Sequence, residues 1–123
     1  TVHQLVSTVT AQLKADLDIS AVLASAFPGG SMTGAPKIRA MEIISDLEAG
    51  PRGVYSGALG YIGVDGSAEF GMTIRTLIFE SGQVSLGVGG GITSDSDPDA
   101  ELAETELKAQ ALLKVLNAPN PWS

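Results

Sequence analysis

The chain has no cysteine and a single histidine, His3, in 123 residues. Disulfides and thiolate metal sites are therefore excluded, as is a multi-histidine zinc site within one chain. Any metal is expected on oxygen ligands. Cations are scarce, with 7 Lys plus Arg against 14 Asp plus Glu, for a formal net charge of -7. Nucleic acid needs clustered cations and is excluded as the main partner. A small anion needs only one or two well-placed basic groups. No apolar run approaches the roughly 20 residues that cross a bilayer, and Thr1-Val2-His3-Gln4 carries neither an initiator Met nor a basic leader. No membrane partner and a cytoplasmic location are expected. The opening reads as the middle of a helix, in a chain cut from something longer.

What is present is an apolar share of 44%, enough for the core of one domain. Val2, Leu5, Val6, Val9 and Leu13 predict an amphipathic helix over 1–14, and a second, shorter helix is expected over 19–27. Phe27 to Gly34 reads as a loop. A third helix begins at Pro36, carries Ala40, Ile43, Ile44 and Leu47 as its core stripe with Met41 at the edge, and stops at Gly50-Pro51. Residues 50–91 hold 12 of the 15 glycines. Three strand-like runs (54–64, 67–80 and 83–89) are separated by Asp65-Gly66 and Ser81-Gly82, which predicts an antiparallel meander. So many strand glycines imply that something approaches the backbone closely. Ser94 to Pro98 predicts the start of a last helix over about 99–117. The fold class is α+β, an antiparallel meander with flanking helices.

On a helical wheel Asp99, Ala103, Glu106, Gln110, Lys114 and Asn117 form the solvent side of the last helix. The opposite stripe holds Glu101, Glu104, Thr105 and Lys108, then Leu112, Val115 and Leu116. An unpaired carboxylate facing a core is costly and needs cations or water. Glu101 and Glu104, one turn apart, suit a hard cation such as Mg²⁺. Lys108 could pair with Glu104 or hold an anion. On an arbitrary acidic helix a solvated Glu104–Lys108 pair is the commoner arrangement, and the wheel brings the two readings level without settling between them. The run Gly89-Gly90-Gly91 could turn its N–H groups onto a carboxylate or phosphate, although glycine runs also form ordinary turns. Arg75, in an apolar run, implies either a buried carboxylate partner or an edge strand reaching solvent. By pattern alone Tyr61 reads as a core or rim aromatic. His3 reads as a structural histidine that could also serve as an acid near neutral pH.

Taken together, Val2 to Ser7, Gly34 to Glu42, Gly60-Tyr61, Ile74-Arg75-Thr76, Gly89 to Ile92, Asp95-Ser96 and Glu101 to Lys108 resemble, in order, the C-terminal part of the chorismate-utilising enzymes. The resemblance implies a larger α/β sandwich of which residues 1–123 are an incomplete, C-terminal portion of the catalytic domain. It implies Mg²⁺ as cofactor on Glu104, with Glu101 in the same acidic site. It implies chorismate carboxylates held at Tyr61, Arg75, Gly89, Gly90, Gly91 and Lys108, and His3 as an acid near the leaving hydroxyl. The stretch Phe27 to Lys37 and the triple glycine lean toward the aminodeoxychorismate branch. That branch implies amination of chorismate at C4, with ammonia from a glutamine amidotransferase partner; the anthranilate branch and a non-catalytic module are the alternatives. The branch's lysine motif Pro-Ile-Lys-Gly-Thr and the second metal-site Glu lie outside these residues, and Lys37, in Gly-Ala-Pro-Lys, belongs to a different motif. Without its other half, such a piece is expected to be inactive and to self-associate through uncovered apolar sheet.

Overall fold

The computed structural model describes residues 5–122. Four helices and four strands follow one another: α1 (Ile19–Ala26), α2 (Gly30–Thr33), α3 (Lys37–Leu47), β1 (Ala58–Ile62), β2 (Ala68–Met72), β3 (Leu77–Glu80), β4 (Gln83–Leu86) and α4 (Pro98–Val115). Local chemistry sets most of the boundaries. The Asp18 carboxylate accepts from Ala21 N at 3.0 Å and starts α1. Asp97 accepts from Ala100 N at 2.9 Å, with Pro98 opening α4. Asp99 and Glu101 complement the dipole of that first turn, and Asn117, at φ 51°, leaves the helix through the left-handed region.

The strands form two separate antiparallel hairpins, β1–β2 and β3–β4. Both expected turns are present. Asp65 accepts from Ser67 N and Oγ at 3.0 and 2.7 Å, and Ser81 and Gly82 both take positive φ, as a tight two-residue hairpin turn requires. The expected continuous meander is not formed, because the 67–80 run breaks at 73–76. Thr73 there is buried and turned back onto the 54–57 segment. Its N–H donates to Gly57 O at 3.0 Å, its carbonyl accepts from Ser56 N at 3.1 Å, and its hydroxyl donates to Val54 O. Those bonds take the chain out of β2, and Arg75 follows at φ 51° in an exposed bend rather than in a strand.

A second correction concerns the N-terminal helix. Among the described residues, 5–14 are not helical, and Leu5, Val6 and Val9 stand in solvent. A short amphipathic helix in water depends on a partner for its apolar face, and among the described residues nothing covers this one; the β-branched Val6, Thr8, Val9 and Thr10 weaken it further. The part of this expectation that falls on residues 1–4 lies outside the described residues. The α3 stripe is also only partly used: Ala40 and Ile44 are half-buried, whereas Ile43 and Leu47 are exposed.

The chain exposes 10,090 Å², where a self-contained protein of 12.6 kDa would expose about 6,200 Å². Ala109 is the only buried apolar residue among those described. The nearest thing to a core is an open apolar cleft of about 480 Å³ between β4 and α4, lined by Val84, Leu86, Ala109, Leu113, Leu116 and Trp122. Much of the apolar surface of the described residues is therefore uncovered.

Candidate functional site

The first two turns of α4 lie against the bend that follows β4. Glu101 is half-buried and accepts a hydrogen bond from Ser96 Oγ at 2.6 Å. A Cβ added to Gly90 would lie 2.9 Å from Glu101 Oε2 and 3.8 Å from Thr105 Oγ1. The tip of the Glu101 side chain thus lies close against the bend at Gly90. One turn later Lys108 Nζ donates to Gly89 O at 3.2 Å and pairs with Glu104 Oε1 at 2.6 Å. The Lys108 side chain is 32% exposed and that of Glu104 55%. The pair is therefore tilted between bend and solvent, with the cation on the inner side. Gly91 continues the bend, and a Cβ there would meet nothing within 4 Å, so packing within these residues does not demand glycine.

The wheel placed only part of the inner stripe of α4, and the Glu104–Lys108 pair set against the acidic site is formed. Glu101, Thr105, Lys108, Leu112 and Leu116 are half-buried, but Glu104 and Val115 are exposed and Ala109 takes the centre. Of the expected solvent side, Glu106 is half-buried and the rest is exposed.

An aromatic that sequence reasoning did not select completes the cluster. A Cβ on Gly87 would fall within 2.5 Å of Tyr55 Cβ and closer still to Cγ, and one on Gly89 would fall 2.9 Å from Tyr55 Oη. The Tyr55 ring therefore lies along the glycine strand end, with its hydroxyl at Gly89. Alternate residues of an extended chain share a face, so Gly87 and Gly89 together were the available signal for a close neighbour on that side. Tyr61, the residue expected here, sits exposed in β1, paired with Glu69 across the hairpin. Arg75 is exposed in its bend and pairs with no carboxylate among the described residues. Gly89, Gly90, Glu101, Glu104 and Lys108 are brought together; Tyr61 and Arg75 are not joined to them by any contact among the described residues. His3 lies outside those residues.

The segment that carries Tyr55 is tied down from behind. Arg52 grips the Glu48 carboxylate, with Nε at 2.9 and 3.1 Å from its two oxygens and Nη2 at 2.6 Å from Oε1. Its Nη1 donates to Met32 O at 2.8 Å and to Ser56 Oγ at 3.2 Å. Hydrogen bonding to the guanidinium holds the Glu48 carboxyl below its usual range and raises Arg52 further. Lys37 Nζ donates to Ala26 O at 3.3 Å, tying α3 back to the end of α1.

Two carboxylates one turn apart are oxygen donors of the kind that Mg²⁺ accepts together with water and ligand oxygens, and here Lys108 pairs with one of them, Glu104. Among the described residues no third acidic or imidazole side chain joins them. The donor set fits the part of such a site that these residues could supply.

A family model described as chorismate binding enzyme matches residues 1–114. The chain belongs to the chorismate binding enzyme family. Within this family it is 54% identical over 121 residues to the aminodeoxychorismate synthase of Streptomyces griseus, covering 98% of this chain and 17% of that protein. It is 50% identical over 115 residues to aminodeoxychorismate synthase component 1 of Escherichia coli K12, covering 94% of this chain and 25% of that protein. It is also 50% identical over 112 residues to anthranilate synthase component 1 of Streptomyces coelicolor, covering 91% and 22%. The chain thus spans a quarter or less of the length of these family members, and overall identity does not separate the two activities that they carry. As a chorismate-family piece it is α+β, with helices around antiparallel hairpins.

Proposed function

We propose that the polypeptide to which this chain belongs aminates chorismate at C4, giving 4-amino-4-deoxychorismate on the route to folate. Residues 1–123 form the C-terminal portion of its catalytic domain, in a cytoplasmic enzyme that takes ammonia from a glutamine amidotransferase partner. The observation that carries this reading is the junction of the glycine bend with Lys108 and the Glu101–Glu104 turn. It offers one cation and backbone N–H groups to a carboxylate, beside two acids of which Glu104 already pairs with that cation and Glu101 accepts from Ser96 Oγ.

Chorismate carries two carboxylates. In this reading Lys108 Nζ and the bend N–H groups at 90–91 receive one, and the Tyr55 hydroxyl at Gly89 donates to the same group. Glycine at 91, unneeded for packing, lets the ligand approach the main chain. Arg75 and Tyr61 complete the pocket once the rest of the domain covers these apolar faces, and His3 gives a proton to the departing hydroxyl. Glu101 and Glu104 would hold Mg²⁺, which when bound supplies a Lewis acid at the ligand's ring carboxylate. The aminodeoxychorismate branch is favoured by Phe27 to Lys37 and by Gly90 as the middle glycine; the anthranilate branch is favoured by the Streptomyces coelicolor relative. Incubation of the full-length enzyme with chorismate, Mg²⁺ and ammonia, with the product identified by mass and chromatography, decides between them. The expected product is 4-amino-4-deoxychorismate, and anthranilate as the direct product would overturn the branch assignment.

A further inference from the structure

Arg52 uses its guanidinium unusually fully for a half-exposed residue. It binds the end of α3 through Glu48, the α2 turn through Met32 O, and the segment before β1 through Ser56 Oγ. Ser56 is one of the few buried residues described and holds φ at 67°, a region that disfavours an L side chain. Its N–H is fixed on Thr73 O, and Gly57 N is fixed on Val54 O. Tyr55 therefore hangs between two anchored neighbours, and its ring is the one that lies along Gly87 and Gly89. A planar five-donor group joins three segments at once in a way that a lysine cannot.

We infer that Arg52 is a positioning residue for chorismate binding, holding the 54–57 segment so that the Tyr55 hydroxyl stands at the Gly89 bend. Arg52 touches no substrate in this arrangement and acts through Ser56 and Tyr55. The inference rests on the site reading above, and a double-mutant cycle separates the two. In the full-length enzyme, the dissociation constant for chorismate and the steady-state constants are measured for Arg52→Ala, Tyr55→Phe and the double variant. Each single change is expected to weaken chorismate binding about tenfold, the loss typical of one hydrogen bond to a charged group. KM should rise with kcat nearly kept, and the double variant should be no weaker than the weaker single one.

If Arg52→Ala does not fold, Glu48→Gln keeps the guanidinium, frees its main anchor and enters the same cycle. Losses that multiply in the double variant, or a fall in kcat at unchanged KM, overturn the positioning role and leave the site reading standing. Unchanged binding in Tyr55→Phe overturns the site reading at Tyr55 and the inference with it.

Discussion

Replacing Gly87 with alanine is expected to damage both the fold and chorismate binding. The new methyl would meet the root of the Tyr55 side chain, Cβ and Cγ, rather than a mobile tip. Neither partner can step aside cheaply, because the backbone around Tyr55 is fixed by Ser56, Thr73 and Arg52. Overpacking of this kind costs about 1–3 kcal/mol, and the ring is pushed away from the bend. Denaturant melting of the full-length protein should show that loss, with a chorismate dissociation constant raised about tenfold. Tyr55→Ala opens the space, so adding Gly87→Ala to that variant should cost little more. Gly91→Ala is the internal control: with nothing within 4 Å of its Cβ, it should leave melting unchanged. Normal melting and normal binding in Gly87→Ala would mean that the tyrosine does not lie on this strand.

The second large effect is expected at the acidic turn. Glu104→Gln and Glu101→Gln, made singly in the full-length enzyme, should each lower Mg²⁺-dependent turnover by on the order of 10²-fold or more, as loss of several kcal/mol of metal-borne stabilisation implies. Folding should be nearly unaffected. Glu104 gives up an exposed pair with Lys108, of little worth to stability. A glutamine at 101 can still accept from Ser96 Oγ. The assay compares turnover across a magnesium titration with thermal melting of the same preparations. Full activity in either variant removes that residue from the metal site.

Where structure follows from neighbours in sequence, it was legible. Asp97-Pro98 announced the start of α4, and Ser81-Gly82 and Asp65-Gly66 announced the two turns, because cap and turn chemistry is local. The split character of α4, acidic then apolar on one side, was also readable from spacing, although Ala109 rather than a larger residue marks its centre. Three features were not. The periodicity of 5–13 is that of a helix, but periodicity stabilises nothing without a surface to meet. The run 67–80 looks continuous, yet Thr73 finds better partners in Val54, Ser56 and Gly57 than a strand would offer it. Tyr55 was passed over for Tyr61 because its role depends on Gly87 and Gly89, which are distant in sequence, and only the pair of alternate glycines hinted at it.

Lys108 joins the two halves of the site, since its Nζ touches both the Gly89 carbonyl and the Glu104 carboxylate. Lys108→Met keeps most of the stem and removes the charge. Equilibrium binding of chorismate to the full-length protein, wild type against Lys108→Met with Mg²⁺ present, should show affinity falling tenfold or more, as expected for about 1.5–3 kcal/mol of charge-assisted bonding. An unchanged dissociation constant would contradict the placement of chorismate between the glycine bend and α4.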